Sequence, residues 1–188
     1  MKQQQMHLKD YSINKAWTLF LDRDGVVNER LTGDYVKSPE EFRFLPGAAG
    51  AIASLSEIFG RIVIVTNQQG IGKGLMTEED LYLIHGFMMN EIQDAGGKID
   101  AIYFSPHLEQ EDHPMRKPGT GMALRAKQDF PEIDFKRSVM VGDGIHDMAF
   151  GRKLGMICVY VSGGADASRE LYDVQLGSLV EFVELLSC

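Results

Sequence analysis

Phe20-Leu21-Asp22-Arg23-Asp24-Gly25-Val26-Val27-Asn28 decides the fold, because an apolar run from Trp17 to Leu21 ends abruptly in two acids and a glycine. A run of this kind, bounded by charge and Gly, has the character of a buried parallel strand leaving its sheet. Asp22 and Asp24 then fall at the strand's carboxyl end. Side chains alternate along an extended segment, so both carboxylates are expected to face one space and Arg23 another. Taken alone, Asp-X-Asp-Gly equally suits a surface turn. Its company weighs against that: Thr66 and Asp143 close two further apolar runs, and Lys117 sits in a loop between them.

Working outward, Arg61 to Thr66 is β-branched and continuously apolar, as a central parallel strand is when both faces are covered. Between the two strands, Ala48, Ile52 and Leu55 follow helical spacing from Pro46-Gly47 to Phe59, and Gly60 supplies a stop. Glu29 to Arg43 is irregular and placed to cover the acids, with helix-start chemistry at Ser38-Pro39-Glu40-Glu41. After Thr66 comes a glycine-punctuated loop, Asn67 to Gly74. Thr77-Glu78-Glu79-Asp80 then opens a helix to about Ala95 with a capping box. A third strand is expected at Ile99 to Phe104, and a loop from Ser105 to Thr120 carries Arg116-Lys117-Pro118-Gly119. A helix over Gly121 to Asp129, a strand from Ser138 ending in Gly142-Asp143, a helix over His146 to Leu154 and a fifth strand, Ile157 to Val161, follow. A polar stretch, Ser162 to Asp173, precedes a last helix, Ser178 to Leu186. Strands alternating with helices predict an α/β fold: a Rossmann-like, three-layer α/β/α sandwich around a central parallel sheet. Ligands bind such sheets beyond the carboxyl ends of the strands, near the point where strand order reverses.

Bulk properties narrow the function. At 188 residues, with 44% hydrophobic and 24% charged residues, the chain suits one soluble domain. A formal net charge of -8 argues against tight nonspecific binding to nucleic acid or anionic lipid, both of which need clustered Lys and Arg. Residues 1–15 are polar and Gln-rich, which predicts a loose tail and no secretory signal, with residues 16–188 forming the domain. Each apolar run is broken too soon to cross a bilayer. Cys158 and Cys188 form no disulfide framework. A cytoplasmic monomer is expected.

The residue types point to phosphoryl transfer. A carboxylate attacking a phosphate monoester must overcome repulsion, which a divalent metal relieves by neutralising both partners. Magnesium takes oxygen ligands, so Asp22, Asp143 and the main-chain oxygen of Asp24 form a candidate set. Asp22 is then the nucleophile. Asp24 would protonate the leaving alcohol and later deprotonate water. Lys117 and the Thr66 hydroxyl would hold the transferring oxygens, with main-chain amides of Arg23, Asp24 and Asn67 as further donors.

In that order, Asp22-Arg23-Asp24-Gly25, Thr66-Asn67, Lys117 and Gly142-Asp143 resemble the four motifs of the haloacid dehalogenase (HAD) superfamily of phosphotransferases. More narrowly, Asp22 to Asn28, Phe44-Leu45-Pro46-Gly47, Val65 to Gly74 and Arg116-Lys117-Pro118-Gly119 are similar to heptose-bisphosphate phosphatases and their histidinol-phosphatase relatives. The resemblance spans Trp17 to Val161. It implies Mg-dependent hydrolysis of D-glycero-D-manno-heptose 1,7-bisphosphate at C7, with no large cap domain. Three short loops, Asn28 to Lys37, Asn67 to Gly74 and Ser105 to Gly119, would select the substrate. Lys73 and Arg116 are the implied contacts to the distal phosphate or sugar. Two departures stand out. Where relatives often hold a structural zinc with three Cys and one His, this chain has Ser105, His107, His113 and Met115, a poor tetrahedral set. Gly144 also replaces a Lys common after the motif Asp. A phosphatase for another small monoester, such as histidinol phosphate, and a noncatalytic phosphate-binding protein are the competing readings.

Overall fold

A computed structural model describes Leu8 and residues 11–161 and 169–187. Most of the expected tail, the start of the polar stretch after Val161, and Cys188 lie outside the described residues. The strands are β1 (Thr18–Leu21), β2 (Arg61–Asn67), β3 (Ala101–Ser105), β4 (Ser138–Gly142), β5 (Ile157–Val161) and β6 (Val174–Leu176). They form a parallel sheet in the order β3-β2-β1-β4-β5-β6. The helices are α1 (Ala48–Ile58), the single turn α2 (Gln69–Gly72), α3 (Glu78–Asp94), α4 (Gly121–Asp129), α5 (Ile145–Leu154) and α6 (Leu179–Ser187).

Alternation along the strands builds two cores. Leu19, Leu21, Ile62, Ile64, Val139 and Val141 face the layer that contains α1, α3 and α6, whereas Phe20, Val63, Val65, Met140 and Cys158 face α4 and α5. β1 is therefore buried at all four positions, which explains its unbroken apolar run. α3 begins as expected: the Thr77 hydroxyl accepts from the Asp80 amide, and the Asp80 carboxylate accepts from the Thr77 amide. α5 ends at Gly155 with φ of 73°.

Three differences from the sequence reading have simple causes. The glycine-punctuated loop contains a helical turn, α2, whose amides close onto Gln68 and Gln69. β6 carries no strand signature in the sequence, because its three residues are half-exposed or exposed and include Gln175. The ladder to β5, Val159 opposite Val174, holds it. Trp17 precedes β1 instead of opening it. No helix among the described residues is long and apolar enough to cross a membrane. The strand order reverses between β1 and β4, so the crevice for a ligand opens above Leu21 and Gly142.

Candidate active site

β1 stops at Leu21, yet the Asp22 amide still donates to the Val141 carbonyl at 2.9 Å, which fixes Asp22 on the last rung of the sheet. The chain then turns, and the Val27 amide donates back to the Arg23 carbonyl at 2.8 Å. Gly25 has φ of 88°, and a Cβ there would lie 1.8 Å from Asp143 Oδ2, so no other residue fits. Because the extended segment has ended, the expected alternation is lost. The Arg23 side chain is fully buried and its Nη2 donates to both oxygens of Asp24, at 2.8 and 3.0 Å. The Arg23 amide donates to Asp22 Oδ1 at 2.8 Å. Arg23 thus braces both acids, Asp22 through its amide and Asp24 through its guanidinium.

Asp24 also accepts from Asn28 Nδ2 at 2.9 Å and Gln68 Nε2 at 2.7 Å. Burial opposes its charge, but the Arg23 guanidinium and these donors hold its pKa below the usual carboxylate range. Gln68 Nε2 also donates to the Thr66 hydroxyl at 2.9 Å, which places Thr66, at the end of β2, in the same group. Asn67 braces the opposite loop. Its Nδ2 donates to the Lys117 carbonyl at 3.1 Å and its Oδ1 accepts from the Lys117 amide at 3.0 Å. Lys117 is buried, with Nζ 2.8 Å from Asp22 Oδ1, 2.6 Å from Asp147 Oδ1 and donating to the Val65 carbonyl at 2.7 Å.

Asp147, in the first turn of α5, is an acid that no strand end marks out in the sequence. It caps that helix, since Asp147 Oδ2 accepts from the Gly144 amide at 3.0 Å. Side chains in a first helical turn also lean back toward the helix N-terminus, here toward the end of β4. Gly142 leaves the room, for a Cβ there would lie 2.2 Å from Asp147 Cβ. Asp22, Asp143 and Asp147 consequently offer oxygens within 4.8 Å of one another. Burial and Asp147, against Lys117, push the Asp22 pKa up to about 6. Burial and Asp22 push Asp143 up to about 7.

Arg30 completes the group from the loop after β1. Its Nη2 lies 2.5 Å from Asp143 Oδ1, 3.2 Å from the Asp24 carbonyl oxygen and 3.6 Å from Asp22 Oδ2. A cationic nitrogen among three oxygens marks the place of a cation. The hard, all-oxygen set around it fits magnesium. Only the irregular stretch after the first motif hinted at such a partner.

These groups open into a cleft of about 250 Å³ lined by Asp22, Asp24, Tyr35, Arg116, Lys117 and His146 among others. Arg116 is fixed by donating to the His107 carbonyl at 3.2 Å. Lys73 is not among the lining residues; its Nζ donates to the Tyr35 hydroxyl at 2.9 Å and so backs a residue that is. His107 and His113 stack with centroids 3.4 Å apart, and His113 Nδ1 accepts from the Met115 amide at 3.2 Å. Ser105 is buried, and its hydroxyl has no hydrogen-bond partner among the described residues.

The family model described as HAD-hydrolase-like matches residues 114–180. A Mycobacterium bovis protein named D-glycero-alpha-D-manno-heptose-1,7-bisphosphate 7-phosphatase is 37% identical over 169 residues, covering 88% of this chain and 89% of its own. A Rhodopseudomonas palustris enzyme named for the beta anomer is 35% identical over 146 residues, covering 73% and 78%. Among solved structures, the D,D-heptose 1,7-bisphosphate phosphatase of B. bronchiseptica, complexed with magnesium and phosphate, superposes with a TM-score of 0.79 at 30% identity, covering 91% of this chain and 98% of that one. Likeness of sequence across nearly the whole length, and of fold over nine-tenths of the chain, places this chain in the heptose-bisphosphate phosphatase family of the HAD superfamily.

Proposed function

We propose that this chain is a magnesium-dependent phosphatase that hydrolyses D-glycero-D-manno-heptose 1,7-bisphosphate at C7 through an aspartyl-phosphate on Asp22. The observation that carries this reading is the convergence of Asp22, Asp143 and Asp147 around one point at the strand-order reversal, beside buried Lys117 and an open cleft. Asp22, Asp143, Asp147 and the Asp24 carbonyl would hold magnesium, which when bound offsets the repulsion between carboxylate and phosphate. Asp22 attacks phosphorus as the bond to the C7 oxygen breaks, and Asp24 gives that oxygen its proton. Asp24 then takes a proton from the water that releases phosphate. A doubly negative phosphate arriving beside Asp24 raises its pKa, the direction that loads the proton it must donate. Lys117, Thr66 and the amides of Arg23, Asp24 and Asn67 steady the transferring oxygens. Arg116 meets the distal phosphate, and Lys73 acts at one remove through Tyr35. Residues 16–188 serve as one catalytic domain, acting as a monomer.

Turnover of both anomers of the heptose bisphosphate, set against histidinol phosphate with and without a chelator, tests this. Magnesium-dependent preference for one anomer is expected. Equal, weak release from every ester would overturn the heptose assignment.

Metal binding should also be visible in stability. Asp22 and Asp143 hold protons more tightly when folded than at the ordinary 3.8. Without metal, the folded state therefore binds more protons than the unfolded one from there to about pH 6 to 7, and stability falls as pH rises through that window. Each proton lost contributes about 1.4 kcal/mol per pH unit to that slope. Magnesium takes the place of those protons. The gap in Tm between magnesium-saturated and chelated protein should widen from about pH 5 to about pH 8. A gap independent of pH would show that these carboxylates do not share the ion.

A further inference from the structure

We propose that His85 is a positioning residue for phosphoryl transfer: a neutral imidazole that fixes the Arg23 guanidinium and, through it, the carboxylate of Asp24. The inference rests on the reading of Asp24 as the acid that protonates the leaving oxygen. His85 belongs to α3 and is 5% exposed, its ring edge-on to Phe104 with centroids 6.5 Å apart. Its Nε2 lies 3.3 Å from Arg23 Nη1. A guanidinium only donates, so Nε2 must be the acceptor and the ring proton must sit on Nδ1. Burial and the Arg23 charge push the His85 pKa down to about 3, with Asp24 opposing, so the accepting form persists at any pH where an enzyme of this kind works.

Arg23 needs this second anchor. It is the largest fully buried side chain among the described residues, and its Nε has no hydrogen-bond partner there. Its Nη2 is committed to both oxygens of Asp24 and its Nη1 to His85. Tied only to Asp24, the guanidinium could pivot about that carboxylate and carry it along. With His85 it is held from both sides. Asn28 and Gln68 also grip Asp24, but as neutral donors from the loop and from β2's end. A general acid must lie within hydrogen-bond reach of the atom it protonates, so a small tilt of Asp24 affects the chemical step more than substrate binding.

The test uses leaving groups. A sugar alkoxide must take a proton as its bond to phosphorus breaks, whereas the nitrophenolate of para-nitrophenyl phosphate leaves without one. His85→Gln and His85→Met are nearly matched in size, and only Gln keeps a strong acceptor for Nη1, a thioether sulfur being a weak one. His85→Met is expected to lower kcat/KM for the heptose bisphosphate by about tenfold or more through kcat, and to leave para-nitrophenyl phosphate within about twofold. His85→Gln should recover the heptose bisphosphate to within about threefold of the parent. If His85→Met does not fold, His85→Asn, too short to reach Nη1, takes its place. Asp24→Asn is measured alongside and should lose the sugar ester far more than the aryl ester. Where it does, equal losses on both esters for the His85 variants, or a Gln variant as poor as the Met variant, would reduce His85 to a packing residue. If Asp24→Asn does not separate the esters, the acid role itself fails and the inference falls with it.

Discussion

Asp22→Asn is expected to leave a folded protein that releases phosphate from the heptose bisphosphate at least about 10⁴-fold more slowly, the scale on which loss of a catalytic nucleophile is felt. The substitution keeps the shape of the side chain, and an amide oxygen can still accept from the Arg23 amide. It removes the charge that attacks phosphorus. Stability should move the other way. Burial and Asp147 already penalise the ionised form of Asp22, so a neutral side chain relieves the chelated protein of that cost above about pH 6. A variant that is dead yet melts no lower, and higher when metal-free at neutral pH, separates nucleophile loss from misfolding. Turnover within tenfold of the parent would show that another group attacks phosphorus.

The sheet and the carboxylates at its reversal point were legible because both follow short-range rules. Buried central strands read as unbroken apolar runs, and the acids at their ends stand out by contrast, so Asp22, Thr66 and Asp143 could be placed from strand ends alone. What escaped depends on contacts that sequence spacing does not encode. Asp147 looks like an ordinary first-turn acid until Gly142 is seen to clear its path to Lys117, and nothing local to Arg30 reveals a partner 113 residues away at Asp143. Period-two alternation would set Arg23 opposite Asp24. It does not hold here because the strand ends at Leu21, one residue short of the acids, and the turn at Gly25 redirects the side chains. Lys73 and Arg116 looked alike as loop cations, yet only Arg116 lines the cleft. β6 is too short and too polar to register without its neighbour.

Lys117→Met should have the second large effect, this time on stability and rate together. The three protons of the ammonium have three acceptors: Asp22, Asp147 and the Val65 carbonyl. Met fills nearly the same volume but leaves two carboxylates facing each other in a buried site, together with a carbonyl that lacks its donor. Removing one member of a buried ion pair costs about 3–5 kcal/mol, which for a chain of this size lowers Tm by roughly 10 °C. Magnesium supplies an alternative counter-charge for the same acids, so the deficit should shrink when metal is added, and by more than the parent gains. Activity should not return with stability, because the cation that steadies the transferring oxygens is still missing. Lys117→Arg should not rescue either property, since a planar fork cannot meet three acceptors arranged around one point. A chelated Lys117→Met protein that melts within about 2 °C of the parent would mean that the acids are already neutral in the folded state, and that the proposed charge balance is wrong.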